Sequence, residues 1–125
     1  MRIGLTLAFA SALIAAPLAA EPGDMDVATF LAKAEKLEKK GVAAMFSGDF
    51  KRLKREVEAA GNAYSARYKA DEAAGRTPHS CPPKGKMALS SDQFMSHLRS
   101  YPAARRGATT IKTAFADLMK KRYPC

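Results

Sequence analysis

Two cysteines, Cys81 and Cys125, are the only thiols in a 125-residue chain, and the second is reached through Lys-Lys-Arg-Tyr-Pro at the very end. A single pair has a single intramolecular connectivity. Bridging the two closes a loop of about 45 residues, which the chain-entropy argument values at roughly 4 kcal/mol. That is comparable with the whole stability of a small domain. The spacing offers neither a CxxC redox pair nor a zinc ligand set. Cys81 and Cys125 are therefore expected to form a structural disulfide, and such a bond needs an oxidising compartment.

Residues 1–20, "MRIGLTLAFASALIAAPLAA", point to that compartment. One cation at Arg2 precedes an alanine-rich apolar run that ends in small residues at Ala19 and Ala20, the pattern of a secretory signal peptide. A membrane span needs about 20 apolar residues, whereas this run is interrupted by Pro17 and turns acidic at Glu21 and Asp24. The expectation is cleavage and a periplasmic location. Residues 21–125 then make one small domain with a marginal core of its own, for which a covalent staple matters.

Wherever the apolar residues of 21–125 are periodic, the period is helical, so the expected fold class is all-α. Val27, Phe30, Leu31, Ala34 and Leu37 recur at helical spacing, with Asp26 placed to cap and Gly41 to terminate. After a short apolar link, "VAAMFSGD", a longer stretch from Asp49 sets Phe50, Leu53, Val57, Ala60, Tyr64 and Tyr68 on one seam. Gly61 and Asn62 sit inside that seam and weaken it, leaving room for a kink, since glycine costs about 1 kcal/mol relative to alanine inside a helix.

Residues 76–89 form a Pro/Gly-rich loop that fixes Cys81. Helix signals then return twice over. Ser90 with Gln93 three residues later reads as a capping box, and Leu89 can staple against Phe94. Phe94, Met95, Leu98 and Tyr101 share a face that Pro102 ends. A polar turn, "PAARRGATT", leads to Ile111, Ala114, Phe115, Leu118 and Met119 on a last helix. Lys120, Lys121 and Arg122 crowd its carboxyl end, where the helix dipole favours cations. The expected architecture is a small single-domain bundle of about four helices with one disulfide. Its parts are N-terminal helices over 21–75, the loop over 76–89, and a C-terminal helical hairpin over 90–125 in which Phe94, Leu98, Phe115 and Leu118 meet.

Charge separates these halves. The formal net charge of +9 is not spread evenly: Glu21 to Glu72 carries ten basic and ten acidic residues, whereas Ala73 onward has ten Lys or Arg against Asp92 and Asp117. Such a field attracts anionic partners. For an exported chain those are an acidic protein surface or, weakly, the anionic envelope; nucleic acid is not expected. Enzymatic motifs are missing from the sequence. His79 and His97 are the only histidines and stand in no metal or nucleophile spacing, so solvent exposure is expected for both. Glu56 and Glu58, two apart on a helix, do not face each other as paired catalytic carboxylates. "GRTPHSCPPKGK" lacks the phosphate-loop spacing. No enzyme, cofactor or metal is expected.

One resemblance bears on function. Cys81-Pro82, the helix end at Tyr101-Pro102 and the closing Tyr123-Pro124-Cys125 resemble the C-terminal signature of the Rap/Tai immunity proteins of type VI secretion systems. The likeness covers about 45 of the 105 residues after the leader; the second cysteine pair usual in the family's N-terminal half is not present. The resemblance implies a non-enzymatic periplasmic protein that neutralises a peptidoglycan-cleaving amidase effector. A periplasmic envelope-stress or chaperone-like protein, binding anionic surfaces or unfolded clients, is the alternative. For either role the candidate partner-binding residues are Arg105 and Arg106, at the centre of the basic turn, with Tyr101 as an aromatic anchor, because Arg and Tyr are frequent hot spots. The competing reading puts Tyr101 in the core and leaves both arginines merely solvated.

Overall fold

The computed structural model describes residues 21–85 and 89–125, and the leader expected over 1–20 lies outside them. Helix α1, Val27–Lys40, begins where the Asp26 carboxylate accepts the Thr29 N–H at 2.8 Å. It ends at Gly41, whose φ of 60° lies in the left-handed region that glycine tolerates. The apolar stretch expected as a simple link forms a 3-10 helix, Gly41–Phe46. Ser47 then caps α2, Gly48–Ala73, by accepting the Phe50 N–H at 3.2 Å.

Helix α2 continues through Gly61 and Asn62 without a break. Packing against α5 supplies the stability that local propensity lacks, which is the usual source of helix stability in a folded domain. The seam also differs at its edges. Leu53, Ala60 and Tyr64 are buried as expected, while Val57 and Tyr68 are half-buried and Phe50 is exposed. Glu56 enters the interior beside them.

Helix α3, Ser91–Ser100, carries the full capping box: the Gln93 N–H donates to Ser90 Oγ and the Ser90 N–H to Gln93 Oε1, both at 3.1 Å. The turn expected after Pro102 contains one helical turn, α4, Ala103–Arg106. Thr110 caps α5, Ile111–Arg122. Five α-helices and the 3-10 helix thus make up the regular structure of the described residues, an all-α domain.

Helix α5 is the centre of the bundle, packing most broadly on α2 and on its other side against α3. The aromatic rings record this arrangement. Phe94 stands edge-on to Phe30 at 6.1 Å, and Phe115 lies 5.7 Å from Tyr64 and 6.3 Å from Phe94. Phe94, Leu98, Phe115 and Leu118 are all buried, as expected of the C-terminal hairpin.

The start of α1 is pinned to the start of α5 by an antiparallel bridge at Asp26 and Thr110. Its ladder consists of Val27 N–H to Thr109 O, Ile111 N–H to Met25 O and Lys112 N–H to Gly23 O, at 2.9 to 3.0 Å. Gly23 is needed here: its φ is +98°, and a Cβ would come within 2.8 Å of the Lys112 side chain. Glu56 completes the clamp by accepting the Gly23 N–H at 2.5 Å and the Met25 N–H at 3.2 Å. A buried carboxylate is tolerated when such donors satisfy it.

The Cys81–Cys125 disulfide is formed, with Cα atoms 4.9 Å apart. Beside it the Cys81 N–H donates to Tyr123 O at 2.8 Å, and the fully buried Ser80 hydroxyl pairs with the Tyr64 hydroxyl. The loop and the chain end are thus tied to each other and to α2.

Candidate functional site

The three residues expected at the partner-binding turn are not presented together. Tyr101, at the end of α3, is only 8% exposed. Its hydroxyl donates to Asp117 Oδ2 at 2.6 Å, and burial first, then Asp117, push its pKa well above the usual phenol value. Tyr101 is therefore not an exposed aromatic anchor and follows the competing reading, a core residue with a satisfied polar end. Arg106 is half-buried, with Nε donating to Tyr101 O and Nη2 to Arg99 O, each at 2.9 Å. It satisfies carbonyls left open at the carboxyl end of α3, a structural task. Only Arg105 is exposed.

His97 is a second correction. It is 9% exposed instead of solvated, because it falls on the same stripe as Phe94, Leu98 and Tyr101. Its Nε2 lies 2.9 Å from Ala114 O and 3.2 Å from the Tyr101 hydroxyl. A carbonyl only accepts, so Nε2 carries the proton and Nδ1 the lone pair. That Nδ1 is buried with no hydrogen-bond partner among the described residues. Burial above all holds the His97 pKa below its ordinary value. His79 is half-buried and shifted down for the same leading reason, with Arg67 and Lys120 adding to it.

His97 lines a cleft of about 650 Å³ between α3 and α5. Gln93, Ser96 and Ser100 form one wall, and Lys121 and Arg122 the other. Arg122 Nη1 donates to Gln93 Oε1 at 2.8 Å, and its guanidinium lies 5.5 Å from the Tyr123 ring centre. The cleft thus offers two cations, one carboxylate at Asp92 and two hydroxyl side chains, with Leu118 on its floor, on helices locked from behind by Phe94, Leu98 and Phe115. Such a surface suits an anionic group that carries hydrogen-bonding atoms of its own. The net positive charge of this half was legible in the sequence; the pairing of α3 side chains with the last turn of α5 was not.

On another side, α1, the 3-10 helix, α2 and α3 border an apolar groove of about 560 Å³. Phe30, Leu37, Leu53, Val57 and Met95 line it. Its lip is the α1–α2 corner, where Val42, Met45, Phe46 and Phe50 are 79, 61, 84 and 37% exposed. Read as a linker, this corner gave no functional signal in the sequence, although Val42, Met45 and Phe46 together in a short connection were the available clue.

No group of three or more His, Cys, Asp or Glu side chains capable of holding a metal occurs among the described residues. No described helix is long and apolar enough to cross a membrane. No family model, curated protein or solved structure matches the chain.

Proposed function

We propose that this chain is an exported, non-enzymatic binding protein of the immunity type, which neutralises a secreted peptidoglycan-cleaving hydrolase by covering a surface of it. The cation-lined cleft between α3 and α5 carries this reading. It lies on the disulfide-stapled half, which holds the excess positive charge and the residues resembling the Rap/Tai signature. Lys121 and Arg122 engage a carboxylate or an acidic loop of the hydrolase there, and the Ser96 hydroxyl supplies a hydrogen bond. Two further features support binding over catalysis. The Tyr101 hydroxyl is held between His97 Nε2 and Asp117 Oδ2, His97 Nε2 also faces Ala114 O, and both cysteines are in the disulfide.

The test is capture from a periplasmic extract with the leaderless protein, followed by reconstitution with the purified hydrolase that it retains. The expected result is a stoichiometric complex in which peptidoglycan cleavage stops. Lys121→Glu with Arg122→Glu weakens it by about 2 kcal/mol or more, because charged pairs at interfaces cost that much to break, and lowers the melting temperature by several degrees, because both cations favour the end of α5 and Arg122 also donates to Gln93. Weak, salt-labile association with many proteins and no inhibition of any hydrolase would contradict the proposal and favour the chaperone-like role instead.

A further inference from the structure

The α1–α2 corner combines two features that a solvated helical connection does not need. Its tip is apolar and outside the core: Phe46, Val42 and Met45 are each more than half exposed, and Phe50 adds part of its ring. Around the tip, Lys36, Lys39 and Lys40 at the end of α1 and Lys51, Arg52 and Arg55 at the start of α2 are all exposed. None of these six forms a salt bridge among the described residues. Three nearby carboxylates are engaged elsewhere, Asp49 with Lys33 at 3.3 Å, Glu38 with Arg99 at 3.4 Å and Glu58 with Lys54 at 3.8 Å, which leaves the exposed Glu35 as the one facing these cations unbridged among the described residues.

We propose that this corner docks the protein on an anionic phospholipid bilayer, with Phe46, Met45 and Val42 inserted at the headgroup boundary and the surrounding cations on lipid phosphates. The geometry fits the chemistry on both counts. A helix rises about 1.5 Å per residue, so Lys39, Lys40 and Lys51, each within five residues of the tip, lie roughly 8 Å or less along the chain from it, inside the Debye length of roughly 8 to 10 Å. Cations at that depth feel the surface potential of an anionic membrane. Neither signal suffices alone, since a small apolar wedge binds marginally and exposed lysines are screened by salt; together they supply the two-part anchoring that reversible membrane attachment requires. A dry protein interface is less well served, because six exposed cations crowding a small apolar tip would have to be desolvated and matched one by one. The corner belongs to α1 and α2, whereas the cleft lies between α3 and α5, so the two sites use different residues.

The experiment uses flotation of the leaderless protein with vesicles of phosphatidylglycerol and phosphatidylcholine, against phosphatidylcholine alone. The chain has no tryptophan, so Phe46→Trp supplies a single reporter at the tip. Expected is partition to the anionic vesicles only, with a blue-shifted emission that brominated acyl chains quench. Met45→Ser with Phe46→Ser, and separately Lys39→Glu with Lys51→Glu, should each weaken partition by about tenfold or more, since each basic residue near the surface contributes on the order of 1 kcal/mol. Their melting temperatures should stay unchanged, because the substituted side chains are exposed. Equal partition by the serine pair, or no partition of the parent protein, overturns the proposal. So does a tip that is covered by a second copy, seen as a dimer which the serine pair abolishes while vesicles are ignored.

Discussion

Burial of His97 disfavours its imidazolium, and that single fact ties the stability of the domain to pH. Its folded pKa lies below the ordinary 6.5 of an unfolded histidine, with burial the leading cause and Lys121 assisting. Below that value the unfolded chain takes up protons that the native state refuses, so stability falls as pH drops through 6.5 toward the depressed folded value. His79 adds a contribution of the same sign. Thermal melts at neutral pH and at mildly acidic pH should show this loss, and His97→Gln, which keeps an N–H for Ala114 O, should flatten it; an unchanged slope would place the titration elsewhere. Tyr101 works in the opposite range, since its raised pKa makes stability fall as pH rises above 10. How far these residues were legible differs from case to case. Asp26, Ser90 and Gln93 were, because a cap is decided within four residues of sequence. Glu56 was not, because the N–H groups that it accepts, those of Gly23 and Met25, are more than thirty residues away. For His97 the apolar stripe gave a better signal than the general exposure of lone histidines.

At the scale of elements, helical periodicity located α1, α2, α3 and α5 and missed what lies between them. The 3-10 helix Gly41–Phe46 and the single turn α4 are too short to show a period. Helix α2 shows how tertiary packing overrides a local rule. Gly61 sits inside it against α5, where a Cβ would meet Phe115 Cζ at 3.8 Å, an ordinary van der Waals contact. Its φ is not in the left-handed region. Alanine therefore fits, and Gly61→Ala is expected to stabilise the domain by about 0.5 to 1 kcal/mol through helix propensity and a less flexible unfolded chain. Denaturant titration checks it: a raised midpoint at constant slope is the expected outcome, and a lowered midpoint would mean that α2 cannot approach α5 with a methyl group between them.

For the molecule as a whole, the disulfide joins what charge and hydrophobic pattern separate. It fastens the end of α5 to the loop after α2, across 44 residues of chain. Both cysteines are at the surface and the core is small, so most of the benefit comes from restricting the unfolded chain, typically 2 to 4 kcal/mol. Cys81→Ser with Cys125→Ser should lose about that much in denaturant titration while keeping helical circular dichroism; an unchanged midpoint would remove the staple from the account. The same constraint holds the last turn of α5, with Lys121 and Arg122, against Gln93 of α3, and so shapes the cleft.

That cleft is the claim on which the proposed function depends, and hydrogen–deuterium exchange of residues 21–125 with and without a hydrolase captured as proposed addresses it directly. Added protection should appear in α3 from Gln93 to Ser100 and in the last two turns of α5, the helices that line the cleft, with the α1–α2 corner unchanged. Protection confined to Gly41–Phe46 and the start of α2, or spread evenly over all helices, would contradict it.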